Sequence, residues 1–185
     1  MAADSITSPG PDARFLLAHP AHFIALGFGS GLAPRAPGTF GTLAAIALYW
    51  VLAMALPPLA IAFLSIPLFF VGVWACEVTG RDLGVQDHSA MVWDEIVAFL
   101  PLAALAAMYD SVDGASRPRS LALQLVAFVL FRVFDIWKPF PIRELEQRVK
   151  GGLGVMLDDV VAAAYAYLVL AVLIVVAYKV FGLEG

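Results

Sequence analysis

Five runs of apolar residues, separated by short polar stretches, are the feature that most limits what this chain can fold into. The runs cover residues 42–56, 59–78, 91–108, 121–134 and 160–181. Because 62% of the residues are hydrophobic and only 14% are charged, the composition is that of a membrane protein. Only the second and fifth runs reach the ~20 residues that span a bilayer comfortably, whereas the first and fourth are short. The pattern predicts an all-α, multi-helical, membrane-associated bundle with about five apolar helices.

The length of 185 residues allows one compact domain, which we expect to cover residues 14–185. Residues 1–13 are predicted to form a disordered N-terminal tail, and no secretory signal is recognisable in the first forty residues. A net charge of −4 argues against nucleic acid as a partner, since phosphate-backbone binding needs a basic surface. The single cysteine, Cys76, excludes a disulfide framework and is predicted to be a small core residue.

The distribution of charge predicts how the helices are oriented. If the five helices alternate in direction, the starts of the first, third and fifth share one face with the ends of the second and fourth. Eight basic residues fall on that face, namely Arg14, Arg35, Arg81, Arg132, Lys138, Arg143, Arg148 and Lys150, against three on the other, Arg117, Arg119 and Lys179. The positive-inside rule makes the first face cytoplasmic. The carboxylates Glu77, Asp82, Asp87, Asp94, Glu95, Asp135, Asp158 and Asp159 fall on the same face. We therefore expect the polar site there.

A glycine-rich stretch, residues 27–42, precedes and enters the first apolar run. Glycines let backbone N–H groups approach a ligand, and the free N–H groups at a helix start favour an anion. The candidate ligand-binding residues in this stretch are Gly29, Ser30, Arg35, Gly38 and Thr39. The alternative is a structured turn in which Thr39 or Thr42 caps the first helix.

Asp94 and Glu95 lie near the start of the third apolar run, shortly after an Asp-His pair that contains His88. Adjacent helical residues point about 100° apart, so the two acids cannot both face solvent if the helix is packed all round. A charge in an apolar helix is costly unless it is paired or bound to a metal, which makes these acids functional candidates. The alternative is a structural salt bridge, for instance to Arg81 or Arg132, and His88 is more simply a loop residue.

Arg132, Asp135 and Lys138 are spaced three residues apart at the end of the fourth apolar run. This spacing keeps them roughly on one face for as long as the helix lasts. One interpretation is an ion ladder in which the acid satisfies both bases. The other is that Asp135 holds a cation while Arg132 and Lys138 hold phosphate oxygens.

Asp158 and Asp159 follow a Gly-Gly-Leu-Gly sequence, before the fifth apolar run. Taken alone, they are explained by the helix dipole if they lie in a first helical turn. Together with the acids on the other helices, they supply hard oxygen ligands on one face. That set fits Mg²⁺, which prefers carboxylates and often bridges to a substrate phosphate.

The stretches 27–42, 87–95 and 131–159 together resemble the phosphatidylglycerophosphatase A family of bacterial inner-membrane lipid phosphatases. The most specific is Phe-Arg-x-Phe-Asp-x-Trp-Lys-Pro at 131–139, and the resemblance covers about residues 20–182. It implies an all-helical fold and Mg²⁺-dependent hydrolysis of phosphatidylglycerophosphate to phosphatidylglycerol and inorganic phosphate, at the cytoplasmic face of the inner membrane. The residues that match the family motifs are the acids Asp94, Glu95, Asp135, Asp158 and Asp159 and the bases Arg132 and Lys138.

The mechanism that we expect assigns these residues to two tasks. Asp94, Glu95, Asp158 and Asp159 supply most of the Mg²⁺ ligands, with Asp135 as a further ligand or the general base. Arg132 and Lys138 neutralise the phosphoryl oxygens. The 29–38 loop and His88 contact the headgroup, while the acyl chains stay among membrane lipids. No obligatory protein partner is inferred.

Two other classes of membrane protein are alternatives. A cation channel or transporter also concentrates acids in the membrane, but it places them near the midplane in broken helices. Here they lie at the ends of the runs, beside bases that would repel a cation. A structural scaffold without catalysis would leave the clustered acids unexplained.

Overall fold

The computed structural model describes residues 10–112 and 117–181, and within these ranges the chain is entirely helical apart from turns. In order, the elements are α1 (Ala13–Ala18), α2 (Pro20–Ala25), a 3-10 helix (Gly27–Leu32), α3 (Pro37–Leu52), α4 (Pro58–Leu83), α5 (Trp93–Val112), α6 (Arg117–Trp137), α7 (Ile142–Arg148) and α8 (Gly151–Phe181). The predicted all-α class is confirmed for the described part of the chain. Of the predicted N-terminal tail, residues 1–9 lie outside it.

The five long helices α3, α4, α5, α6 and α8 match the five apolar runs, although α8 begins well before residue 160. Glycine is a poor helix former, yet α8 starts with two glycines. Gly152 packs so closely on α4 that an added Cβ would meet the Val73 carbonyl oxygen. Its N–H donates to Glu77 Oε2 at 2.7 Å, which satisfies a group left free at the helix start. Tertiary contacts therefore set this helix boundary.

Helix α5 forms the core of the bundle. It packs against α3, α4, α6 and α8, and residues 90–100 are buried without interruption. Cys76 on α4 is buried in the same core, as predicted. Because the first two turns of α5 are covered on all sides, any charged side chain there lies inside the protein.

Contacts at both ends of the bundle show that the long helices alternate in direction. Glu95 at the start of α5 pairs with Arg132 near the end of α6, and the Gly152 contact joins the start of α8 to the end of α4. At the opposite end, Trp50 Nε1 near the end of α3 donates to Gln124 Oε1 in α6 at 2.9 Å. The starts of α3, α5 and α8 and the ends of α4 and α6 therefore meet, and we call this end of the bundle the site end.

The outer surface of the bundle is apolar. Exposed large side chains recur every three or four residues along α4, at Leu59, Phe63, Ile66, Phe70 and Trp74, and along α6, at Leu121, Leu125, Val129, Val133 and Ile136. Contiguous apolar stripes of this kind are not left facing water in soluble proteins. The stripes therefore face lipid.

Three described helical stretches are long and apolar enough to cross a membrane, namely Pro58–Leu83, Ser120–Trp137 and Gly151–Ala177. The expectation that the fourth apolar run is short is wrong, because its helix extends over 21 residues. The added residues, 117–120 and 135–137, include Arg117, Arg119 and Asp135, which the apolar pattern left out.

Candidate active site

A cavity of about 230 Å³ lies at the site end, and the charged residues singled out from the sequence line it. The starts of α3 and α5, the end of α6 and the third turn of α8 contribute to its wall, together with the loop before α5. Its carboxylates are Asp87, Asp94, Glu95, Asp135, Asp158 and Asp159, and its bases are Arg132 and Lys138. The fold thus brings together all seven charged residues that were predicted as metal-binding or catalytic.

Asp94, Glu95 and Asp159 form the most compact group of acids in the cavity. One carboxylate oxygen from each lies within 4.8 Å of the others, and all three residues are buried. Glu95 Oε2 and Asp159 Oδ2 have no hydrogen-bond partner in the part of the chain that the structure describes. Buried carboxylates at this separation repel one another unless a cation lies between them. The donor set therefore fits a hard divalent cation.

The helices hold these acids from two directions. Asp94 and Glu95 lie in the first turn of α5, which is anchored to α4 because Trp93 Nε1 donates to the Leu68 carbonyl at 3.2 Å. Asp159 faces them from α8. The alternative that Asp158 and Asp159 lie in a first helical turn is wrong, since α8 starts seven residues before Asp158. The helix dipole alone does not explain this acid pair.

Arg132 reaches the acid group from α6. Its Nη1 lies 2.6 Å from Asp135 Oδ2 and 3.4 Å from Glu95 Oε1, while its buried Nε has no partner among the described residues. The salt bridge considered as an alternative role for Glu95 does form, but it leaves the second oxygen of Glu95 unpaired. A guanidinium has five N–H donors, so Arg132 keeps donors for a further anion.

Lys138 lies just beyond the end of α6 and has a left-handed backbone, with φ of 45°. It leaves the helical face of Arg132, so no continuous ion ladder runs along α6. Its Nζ donates instead to Asp158 Oδ2 at 2.8 Å and lies 3.1 Å from Glu146 Oε1. Burial by itself favours the neutral amine, but the hydrogen bond and charge of Asp158, with those of Glu146, raise the pKa of Lys138 above its ordinary value. The side chain is therefore a permanent cation.

Gly38 is the member of the glycine-rich stretch that lies closest to the acids. It occupies the first turn of α3, which follows a left-handed Ala36. A Cβ at Gly38 would meet Glu95 Oε1 and the guanidinium of Arg132. Only glycine therefore lets the start of α3 approach the acid group this closely.

The alternative that Thr39 or Thr42 caps α3 is wrong. The N-cap position is Ala36, and no side chain within the described ranges caps this helix. Thr42 Oγ1 donates instead to the Gly38 carbonyl at 2.9 Å, inside the helix. Pro37 has no N–H, and the N–H groups of Thr39 and Phe40 donate to the Ala36 carbonyl, so among the described residues the N–H of Gly38 is the first-turn donor left beside the cavity.

The other predicted ligand-binding residues do not line this cavity; they are Gly29, Ser30, Arg35, Thr39 and His88. Ser30 Oγ donates to the Gly27 carbonyl at 2.8 Å, and His88 Nδ1 accepts from the Ala90 N–H at 3.1 Å, so both side chains stabilise their own loops. Arg35 is exposed immediately before the cavity-lining Ala36. Their part in binding stays a prediction.

Three acids that were not site candidates also shape this region. Asp87 lines the cavity, and its position in an Asp-His pair was a signal that pointed to it. Glu77 binds the start of α8, and Glu146 of α7 pairs with Lys138. Neither glutamate stands in a recognisable motif, because its contact joins helices that are distant in sequence.

Comparison with known proteins gives consistent matches over most of the chain. The family model described as Phosphatidylglycerophosphatase A matches residues 23–174. The phosphatidylglycerophosphatase A of Haemophilus influenzae is 41% identical over 165 residues, which cover 89% of this chain and 94% of that protein. The phosphatidylglycerophosphatase A of Escherichia coli K12 is 40% identical over 150 residues, 80% of each chain.

A third relative carries a different name. It comes from Bacteroides thetaiotaomicron, is provisionally named a phosphatidylinositol-3-phosphatase, and is 40% identical over 154 residues, or 80% of this chain and 90% of its own length. No solved structure matches the chain.

Proposed function

The chain belongs to the phosphatidylglycerophosphatase A family, and we propose that it hydrolyses the terminal phosphomonoester of phosphatidylglycerophosphate. The products are phosphatidylglycerol and inorganic phosphate. The observation that carries this proposal is the cavity at the site end, where buried acids with unpartnered oxygens stand beside two cations. Such a site suits a phosphate that is bound together with a metal ion. The apolar outer surface of the bundle places the site at the depth of the lipid headgroups.

Mg²⁺ is the metal that we assign to Asp94, Glu95 and Asp159. Mg²⁺ prefers carboxylate oxygens and keeps several waters, and the oxygens of Glu95 and Asp159 that have no partner among the described residues supply ligand positions. When bound, Mg²⁺ polarises the phosphoryl group and makes water a better nucleophile. Asp158, the fourth predicted ligand, is paired with Lys138, so we assign it chiefly to orienting that base.

Arg132 and Lys138 bind the phosphoryl oxygens in this proposal. The guanidinium offers its remaining N–H groups and the ammonium acts as a point charge. Asp135 and Asp158 hold the two cations in place before substrate arrives. Both bases neutralise charge on the equatorial oxygens as the phosphorus–oxygen bond breaks.

The bond changes are those of a phosphomonoester hydrolysis. A water oxygen attacks phosphorus in line with the glycerol oxygen, which leaves with the electrons of the broken bond. The proton from the water passes to Asp135, which lines the cavity beside Arg132, and then to solvent, while the departing glycerol oxygen on the opposite side of phosphorus takes a proton from solvent water. Atoms and charge therefore balance without any further reactant.

We place the enzyme in the bacterial inner membrane with the site end at the cytoplasmic face. The excess of Lys and Arg on the predicted site face supports this orientation. Residues 14–185 act as one domain, and the 29–38 loop and His88 border the headgroup. The acyl chains remain in the bilayer.

The proposed activity is tested by phosphate release from the purified protein in detergent. We expect release from phosphatidylglycerophosphate that is abolished by a chelator and restored by Mg²⁺. Phosphatidylinositol 3-phosphate, phosphatidic acid and glycerol 3-phosphate serve as competing phosphomonoesters. We expect each of them to release phosphate at no more than about one tenth of the rate for phosphatidylglycerophosphate. Absence of release from phosphatidylglycerophosphate, or faster release from the inositol lipid, would contradict the assignment.

A further inference from the structure

A second cavity, of about 480 Å³, lies between α4, α5 and α8 next to the site end. Its floor is formed by buried residues of α5, among them Val97 and Leu102, and its sides by Phe69 of α4 and Ala164 of α8. The volume is within the roughly 300–1,000 Å³ typical of small-molecule pockets. We call this cavity the apolar groove.

The apolar groove continues from the acid group of the candidate active site. Ala98 and Leu105 line it and follow Asp94 by four and eleven residues, so all three share one face of α5. On α8, Ala163 lines the groove one turn after Asp159. A molecule that binds at the acids and extends into the membrane therefore meets the groove.

The depth of the groove corresponds to one leaflet of a bilayer. Along α8 its lining extends from Leu157 to Tyr167, about 15 Å at the rise of an α-helix. This is half of the roughly 30 Å hydrocarbon core. The hydroxyl of Ser65, one of two polar side chains in the lining, donates to the Ala62 carbonyl at 2.6 Å. The groove therefore suits a hydrocarbon chain better than a polar ligand.

We propose that the apolar groove binds one acyl chain of the lipid whose headgroup occupies the active site. The proposal rests on the proposed function and adds that headgroup and chain are recognised together. Lipid tails are as apolar as the groove, so shape and packing rather than hydrophobic transfer provide the selectivity. The bound chain positions the phosphate at the acids, and the groove acts on KM more than on the chemistry.

The test compares dihexanoyl and dipalmitoyl phosphatidylglycerophosphate as substrates of the full-length protein in one detergent. Ala164→Trp fills the groove from an exposed position on its side, where a large side chain needs no core space. Ala122→Trp is the matched control, because Ala122 is an exposed alanine on α6 outside the groove. We expect Ala164→Trp to lower kcat/KM for the long-chain lipid about tenfold through KM, with the short-chain lipid and the control unaffected.

A photoreactive group at the end of an acyl chain provides a second, direct readout. The labelled substrate should react with groove residues of α5 and α8, whereas a phosphatidylcholine that carries the same chain should label them weakly. Equal labelling by both lipids would make the groove a site for bulk lipid and overturn the proposal. An unchanged chain-length preference in the Ala164→Trp protein would also overturn it. So would a lower oligomeric mass of that variant relative to the wild type, because the groove would then bind a second copy of the chain. If the wild-type protein releases no phosphate from either lipid, the proposed function fails; release without chain discrimination rejects the groove alone.

Discussion

Several single residues in this protein are placed at a cost to stability that a bound cation would offset. Asp94, Glu95 and Asp159 are buried within 4.8 Å of one another, and the nearby Arg132 reaches only Glu95 among them within salt-bridge distance. Bringing unpaired carboxylates out of water costs several kcal/mol each. Residues that conflict with folding in this way are characteristic of functional sites. Gly38 belongs with them, since its missing Cβ makes room for the acid and its base.

Replacing Gly38 by alanine tests this close approach. The added Cβ would displace Glu95 and Arg132, so we expect phosphate release to fall at least about tenfold and stability to fall by about 1–3 kcal/mol. Activity and denaturant unfolding are measured side by side. Gly10→Ala is the control, because a Cβ at Gly10 meets nothing within 4 Å. A fully active Gly38→Ala protein would show that this contact is not needed.

At the scale of helices, the sequence predicts well the positions and the order of the long helices that cross the bundle. Apolar runs and their order follow directly from burial in lipid and core, so the five long helices were predictable. The residues at which the helices start were less predictable, because the start of α8 depends on Glu77 and the start of α3 packs against Glu95. Such contacts link helices far apart in sequence, and no local pattern records them.

In the candidate site, too, the sequence predicted some features and left others open. The acids and bases were predictable because charge is scarce in an apolar chain and each one requires a reason. Their pairing was predictable only in part: the Glu95–Arg132 salt bridge was an alternative, but Lys138 turns away from α6 to reach Asp158, which depends on a left-handed backbone at Lys138 itself. Ser30 and His88 form hydrogen bonds with the backbone of their own loops, and residue type alone does not distinguish that role from ligand binding.

The direction of the helices leads to a prediction about topology. The five long helices alternate, so the α7–α8 connection and the α5–α6 connection lie at opposite ends of the bundle. We expect a reporter fused after Lys150 to read as cytoplasmic and one fused between α5 and α6 to read as periplasmic. A periplasmic signal from the Lys150 fusion would reverse the orientation proposed for the site.

The whole molecule combines a buried central helix, a lipid-facing exterior and one charged end. Helix α5 begins at the acids and continues as the floor of the apolar groove. In the proposed function, this arrangement places the phosphate headgroup at the membrane edge. It differs from an ion path, because the charged residues that line the cavity gather at the site end and α5 carries no charged residue between Glu95 and Asp110.

The central claim is that the buried acids hold Mg²⁺ for lipid phosphate hydrolysis, and Asp159→Asn tests it most directly. The measurement is phosphate release from phosphatidylglycerophosphate against Mg²⁺ concentration, with thermal unfolding followed in the same samples. We predict a folded variant whose activity falls about a hundredfold or more and whose stability no longer rises with Mg²⁺. Glu144→Gln, an exposed acid paired only with Arg148 among the described residues, should match the wild type in both readouts. An Asp159→Asn protein that keeps wild-type activity and Mg²⁺ stabilisation would contradict the account.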